Sequence, residues 1–116
     1  MTDNNNVVAL AADLIFGARI RAAAEASHVS ISLAKDVADF LTKVREVKPR
    51  LAVLDLDRRG MNVADTVRAV KQENVELLCY VSHVREDAIA EARNAGADRV
   101  MARGAFAKQI TEILAG

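Results

Sequence analysis

Residues 51–56 of this chain read Leu51-Ala52-Val53-Leu54-Asp55-Leu56. The run is short and has no polar alternation, which is typical of a strand covered on both faces. Four further apolar runs of similar length lie at residues 7–12, 29–33, 77–81 and 99–102. Strands of this kind occur in parallel sheets packed between helices, so the sequence predicts a five-stranded parallel sheet.

Amphipathic helical patterns separate these runs. The clearest covers residues 37–47, where apolar side chains recur at helical spacing and Asp36 is placed to cap the first turn. Further helical patterns lie at residues 13–27, 63–70, 88–95 and 106–114. Crossovers between parallel strands are right-handed almost without exception. The strict alternation therefore predicts one α/β domain, a doubly wound sheet with helices on both faces.

The composition sets the broad class of protein. Of the 116 residues, 52% are hydrophobic and 28% are charged, which is typical of a globular domain and not of a disordered chain. The sequence predicts a single domain over residues 7–116, preceded by a polar, disordered lead-in over residues 1–6. No apolar stretch reaches the roughly 18 residues that a membrane span needs. We therefore expect no membrane partner.

Charge and cysteine content narrow the partners and the location. Sixteen basic and sixteen acidic side chains cancel to a formal charge of zero, whereas nucleic-acid-binding proteins usually carry a basic excess. We therefore expect no nucleic-acid partner. The single cysteine, Cys79, excludes an internal disulfide and lies in an apolar run, where a small buried hydrophobe is the commoner role. A cytoplasmic location is the expectation.

Polar side chains follow the predicted strands at the edge where an open α/β sheet binds its ligands. They are Asp13, Asp55, Asp57, Ser82 and Arg103. Converging carboxylates are ligands that Mg²⁺ prefers, and a hydroxyl and a cation can bind the oxygens of a phosphoryl group. For any one aspartate at a strand end, capping of a helix or turn is the commoner role. The convergence of the whole set is what indicates a site.

Two segments resemble the receiver domains of bacterial response regulators. Residues 48–56, followed by Gly60 and Met61, resemble the third strand and the phosphoacceptor loop of that family. The Ala-Gly-Ala-Asp sequence at residues 95–98 resembles the turn before its fifth strand. The resemblance extends from Val7 to the end of the chain. It implies a flavodoxin-like fold, two-component signal transduction, and no enzymatic activity beyond self-catalysed aspartyl phosphorylation and dephosphorylation.

The same resemblance implies a role for each candidate site residue. Asp55 takes the place of the phosphoacceptor, and Asp13, Asp55 and Asp57 take the places of the groups that hold Mg²⁺. Ser82 and Arg103 take the places of the residues that bind the phosphoryl oxygens. The implied partners are proteins, either a histidine kinase or a downstream effector.

Five positions depart from the receiver pattern. Ala12 replaces an acid of the metal-binding pair, Arg59 replaces a proline, Val100 replaces an aromatic switch residue, Arg103 replaces a lysine and Gly104 replaces a proline. Loss of a carboxylate weakens Mg²⁺ binding, and arginine differs from lysine in reach and geometry. The first interpretation is therefore a stand-alone, atypical response regulator with weak Mg²⁺ binding and impaired phosphoryl acceptance.

Two other interpretations stay open. The second is a pseudo-receiver that binds partners without phosphorylation, and the apolar pair Leu14 and Ile15 is its candidate partner surface. The third is a small-ligand sensor, against which the lack of a glycine-rich phosphate loop counts. His83 follows Ser82, but neighbours in an extended strand point to opposite faces, so the two do not pair as a nucleophile and its base, and any other role of His83 stays open.

Self-association is a further implication of the resemblance. Receiver domains often form homodimers through the face near the fourth and fifth helices. In this chain that face includes four charged residues, Glu86, Arg93, Arg99 and Lys108.

Overall fold

The structure is a computed structural model and describes residues 4–82 and 85–116. Within these residues five strands alternate with five helices. The strands are β1 (Asn6–Leu10), β2 (Ser30–Leu33), β3 (Leu51–Asp55), β4 (Glu76–Val81) and β5 (Arg99–Ala102). The helices are α1 (Leu14–Ala26), α2 (Val37–Val47), α3 (Val63–Lys71), α4 (Glu86–Ala95) and α5 (Arg103–Ala115). No helix among the described residues is long and apolar enough to cross a membrane.

The strands form one parallel sheet with the order β2-β1-β3-β4-β5. This confirms the predicted fold class, a single doubly wound five-stranded sheet of flavodoxin-like topology. Along the β3–β4 pair, Leu54 lies opposite Cys79 and Asp55 lies opposite Tyr80. The strand order reverses beside β1, and ligands of such sheets bind at the carboxyl ends of the strands near this reversal.

The first strand begins earlier than the apolar pattern predicts. β1 starts at Asn6, which belongs to the predicted lead-in over residues 1–6. Before it, the side-chain amides of Asn4 and Asn5 donate to the backbone carbonyls of Lys48 and His28, both at 2.7 Å. These hydrogen bonds hold residues 4–6 against the sheet, and residues 1–3 lie outside the described part of the chain.

The sheet separates two buried clusters. Successive side chains of a strand point to opposite faces, so Val8 belongs to the cluster that includes residues of α2, α3 and α4, while its neighbour Val7 belongs to the cluster that includes residues of α1 and α5. Cys79 belongs to the first cluster and is buried, as predicted. Burial, with a smaller effect of the Asp98 charge, raises the pKa of its thiol to about 12. A thiol of this kind is unreactive at neutral pH.

Side-chain and backbone caps fix where several helices begin and end. The Asp36 carboxylate accepts a hydrogen bond from the Asp39 amide at 2.8 Å, so the predicted cap of α2 is present. Asp13 caps α1 in the same way. Gly96 ends α4 with φ of 112°, a left-handed conformation that glycine adopts at little cost.

Candidate functional site

Asp55 ends β3 and is fully buried. Its Oδ2 accepts a hydrogen bond from the Ala12 amide and its Oδ1 accepts one from the Asp57 amide, both at 2.9 Å. Burial raises the pKa of the carboxyl, although the two amide hydrogen bonds oppose the rise. Both oxygens of the candidate phosphoacceptor are therefore held by the chain's own backbone.

Asp13 lies one residue before α1 and makes two contacts. Its Oδ1 accepts a hydrogen bond from the Phe16 amide at 2.7 Å, and its Oδ2 lies 2.8 Å from Nη2 of Arg103. The Phe16 hydrogen bond is the largest cause that lowers the pKa of Asp13; burial opposes it, and the Arg103 guanidinium adds to the lowering. The Arg103 guanidinium also lies over the Phe16 ring, 4.8 Å from its centroid. Arg103 thus pairs with Asp13 and not with Asp55.

Asp57 lies in the loop after β3 and binds the end of β4. Its Oδ2 accepts hydrogen bonds from the Ser82 amide at 2.9 Å and from the Ser82 hydroxyl at 2.6 Å. Its Oδ1 lies 3.7 Å from the Arg85 guanidinium. The Ser82 hydroxyl, which the sequence predicts to bind a phosphoryl oxygen, therefore donates its hydrogen bond to Asp57.

The structure brings the three predicted metal ligands to one edge of the sheet, but each is engaged by the protein itself. Among the described residues, no group of three or more histidine, cysteine, aspartate or glutamate side chains could hold a metal ion. Mg²⁺ needs several oxygen ligands in near-octahedral geometry, with little tolerance for other arrangements. In this arrangement Asp13, Asp55 and Asp57 do not fit Mg²⁺, and their role as ligands stays a prediction.

Tyr80 is a further residue of the site, and in the sequence it is marked only as part of the apolar run at residues 77–81. It lies opposite Asp55 in the β3–β4 pair and is fully buried. Its hydroxyl has no hydrogen-bond partner among the described residues. Burial, followed by the Asp55 charge, raises the pKa of this hydroxyl well above its ordinary value. The Tyr80 ring stacks on Phe106 with a centroid distance of 4.7 Å.

Leu14 and Ile15 occupy the first turn of α1, beside the acidic edge. Their side chains are 91% and 79% exposed, whereas the next residue, Phe16, is buried. Isolated apolar side chains on a surface are ordinary, but two large neighbours at a ligand-binding edge are less so. The apolar pair on which the partner-surface interpretation depends is therefore accessible to another protein.

The structure also describes Val100 and the four charged residues of the suggested dimer face. Val100, at the place of the aromatic switch residue, is partly buried against the core. The charged residues of the suggested dimer face, Glu86, Arg93, Arg99 and Lys108, are all exposed. His83 lies outside the described residues.

Comparison with known proteins identifies the fold. No family model matches the chain, and no curated protein matches it in sequence. Among solved structures, the signal receiver domain of a putative Luxo repressor protein from Vibrio parahaemolyticus has a TM-score of 0.80 at 16% identity, covering 97% of this chain and 88% of that one. The receiver domain of a response regulator from Bermanella marisrubri has a TM-score of 0.80 at 18% identity, covering 97% and 99%.

A third structure is similar to the same extent. The receiver domain of the putative response regulator NarL from Mycobacterium tuberculosis has a TM-score of 0.79 at 21% identity, covering 97% of this chain and 94% of that one. The chain therefore has the fold of response-regulator receiver domains, as the sequence resemblance implies.

Proposed function

We propose that this chain is an atypical receiver in two-component signal transduction, which acts through contacts with other proteins and accepts a phosphoryl group at Asp55 only poorly. The ion pair between Asp13 and Arg103 carries the proposal. It joins the one acid that follows β1 to the one cation that begins α5. Each of the two groups is thereby already paired, and neither forms a hydrogen bond with the Asp55 carboxylate among the described residues.

Phosphoryl acceptance would require several of the observed contacts to break. An Asp55 oxygen would attack phosphorus while the bond from phosphorus to a donor nitrogen or oxygen breaks, and the leaving atom would take up a proton. Each Asp55 oxygen already accepts one amide hydrogen bond, worth about 1 kcal/mol net, which stabilises the carboxylate and makes it a weaker nucleophile. The new phosphoryl charge would then need Ser82 and Arg103, which are bound to Asp57 and Asp13. These rearrangements support slow acceptance.

Weak Mg²⁺ binding is part of the same proposal. Asp13 is neutralised by Arg103, and Asp57 accepts two hydrogen bonds from Ser82. Restoring the receiver-family residues at positions 12 and 103 should strengthen Mg²⁺ binding at this edge of the sheet. In Ala12→Asp a second carboxylate is added at an exposed position, and in Arg103→Lys a shorter cation with different geometry replaces the guanidinium that binds Asp13.

Leu14 and Ile15 support protein contact as the output. Full burial of one such side chain contributes about 1.5–3 kcal/mol, so the pair offers a substantial share of a transient interface. The partners we propose are a histidine kinase or a downstream effector, in the cytoplasm. The exposure of this pair also favours the second candidate function, a pseudo-receiver that binds its partner without phosphorylation.

Phosphotransfer from acetyl phosphate, followed by intact mass measurement, tests the proposal. We expect slow, partial phosphorylation of the wild-type chain, faster and more complete phosphorylation of the Ala12→Asp, Arg103→Lys variant, and none of Asp55→Asn. Fast and complete phosphorylation of the wild type would contradict the proposed impairment.

The pseudo-receiver would be favoured by a different pattern. The restored variant would then remain unphosphorylated, and Asp55→Asn would complement a deletion strain as well as the wild type. Leu14→Ser with Ile15→Ser would fail to complement, although both substitutions are at exposed positions that the fold does not need.

A further inference from the structure

A cleft of about 460 Å³ lies beside the candidate phosphoacceptor edge. It runs between the first half of α1, the end of β2 and the loop after β3. Most of its lining residues are small or apolar, namely Ala11, Ala12, Leu14, Gly17, Ala18, Leu33 and Ala34. Small-molecule sites in proteins have volumes of roughly 300–1,000 Å³ and mainly apolar walls. The cleft has the size and lining of such a site.

Three cations, Arg21, Lys35 and Arg58, line the cleft, and Asp13 is the only acid among its lining residues. The Asp13 carboxylate is already bound by Arg103 and by the Phe16 amide. None of the three cations forms an ion pair with an acidic side chain in the described part of the chain. Their positive charge is therefore available to a ligand.

Arg58 is held in place by the backbone around the cleft. Its Nη2 donates to the Lys35 carbonyl at 2.9 Å, and its Nη1 makes a longer contact of 3.5 Å with the Ala11 carbonyl. A guanidinium carries several further N–H donors that these contacts leave over. An arginine that is already ordered loses less side-chain entropy on binding an anion.

Gly17 shapes the floor of the cleft. A Cβ at this position would lie 3.9 Å from the Ala11 Cβ and from Leu33 Cδ1, which is ordinary van der Waals contact. An alanine would therefore fit, but it would fill part of the floor. The glycine leaves room there for an apolar group of a ligand.

We propose that this cleft binds a small amphiphilic anion, with a carboxylate or phosphate group against Arg21, Lys35 and Arg58 and an apolar chain over the floor at Gly17 and Leu33. The inference rests on the cleft alone. It does not depend on phosphorylation of Asp55, although the cleft shares Leu14 with the proposed partner surface.

Titration of the full chain, followed by amide NMR, tests the proposal. The probes are hexyl phosphate, hexanoate, inorganic phosphate and hexanol. We expect saturable shifts centred on the cleft for hexyl phosphate and hexanoate. Inorganic phosphate lacks the apolar chain and hexanol lacks the negative charge, so each should bind at least about tenfold more weakly. Tighter binding of hexyl phosphate than of hexanoate would assign a phosphate headgroup, and the reverse would assign a carboxylate.

Charge-removing variants locate the site. Arg21→Gln combined with Lys35→Gln should raise the Kd for the tighter probe about fivefold or more, the sum expected for two exposed cations. Arg19→Gln combined with Lys108→Gln is the matched control, since it removes two positive charges outside the cleft, and it should change the Kd less than about twofold. Gly17→Ala should weaken hexyl phosphate more than it weakens inorganic phosphate.

Two results would overturn the proposal. One is a set of shifts that fails to saturate or spreads over all the basic surface, which is simple anion attraction. The other is an equal effect of the double variant in the cleft and of the Arg19→Gln, Lys108→Gln control.

Discussion

Replacing Asp13 by serine separates the two contacts that its carboxylate makes. Serine is as good a helix N-cap as aspartate, so the hydrogen bond from the Phe16 amide is kept while the ion pair with Arg103 is lost. Combined with Arg103→Gln, the substitution forms a double-mutant cycle. The cycle cancels the separate loss of the Arg103 contact with the Phe16 ring.

The structure sets the expected size of the coupling. The Asp13 and Arg103 side chains are 44% and 39% exposed, so solvent screens much of their attraction. We expect a coupling free energy of about 0.5 kcal/mol, and no more than about 1 kcal/mol. Asp13→Ala loses the cap as well and should cost about 1 kcal/mol more than Asp13→Ser.

Urea unfolding followed by circular dichroism measures these differences. The coupling should shrink at high salt, because exposed charges are screened. It should also fade in acid, since the pKa of Asp13 is lowered on folding: its contribution is present above the unfolded pKa and is lost as the pH falls through the folded pKa. Additive single-variant effects at low salt and neutral pH would refute the reasoning, because Arg103 would then not be bound to Asp13.

Three further predictions concern buried or backbone positions. The pKa of Asp55 is raised by burial, so the wild type should gain stability relative to Asp55→Asn as the pH falls through the folded pKa; urea unfolding over a pH series would contradict this if the difference were constant or of opposite sign. Gly17→Ala should raise the free energy of unfolding by about 0.5–1 kcal/mol in the interior of α1, whereas Gly96→Ala, at φ of 112°, should lower it. Tyr80→Phe should leave thermal stability unchanged or higher, because the buried hydroxyl has no partner among the described residues; a loss of about 1 kcal/mol or more would reveal a hydrogen bond to Asp55.

The fold could be predicted from sequence because its signals are local and agree with one another. The run at residues 51–56 is apolar without alternation, as a strand covered on both faces requires, and it forms the centre of the sheet. Asp36 is followed by an apolar stripe and caps α2. Each of these features depends on neighbours within a few residues. The start of β1 was less predictable, because Asn6 enters the sheet through backbone hydrogen bonds that any residue makes.

The candidate site could be predicted only as a set of residues at one edge. The topology brings Asp13, Ser82 and Arg103 together, but sequence does not specify which acid accepts from which donor. Asp13 and Arg103 are 90 positions apart, and their pairing depends on the relative placement of α1 and α5. Tyr80 was missed for a related reason, since only the β3–β4 register places this residue opposite Asp55.

Amide NMR spectra of the wild-type chain with Mg²⁺, and then with beryllofluoride as a mimic of the phosphoryl group, test the central claim most directly. The Ala12→Asp, Arg103→Lys variant is the comparison. We predict little change near Asp13, Asp55 and Ser82 in the wild type, and saturable shifts at these residues in the variant. Saturable shifts of the same size in the wild type would contradict the claim that contacts within the chain keep the carboxylates of Asp13, Asp55 and Asp57 from binding Mg²⁺.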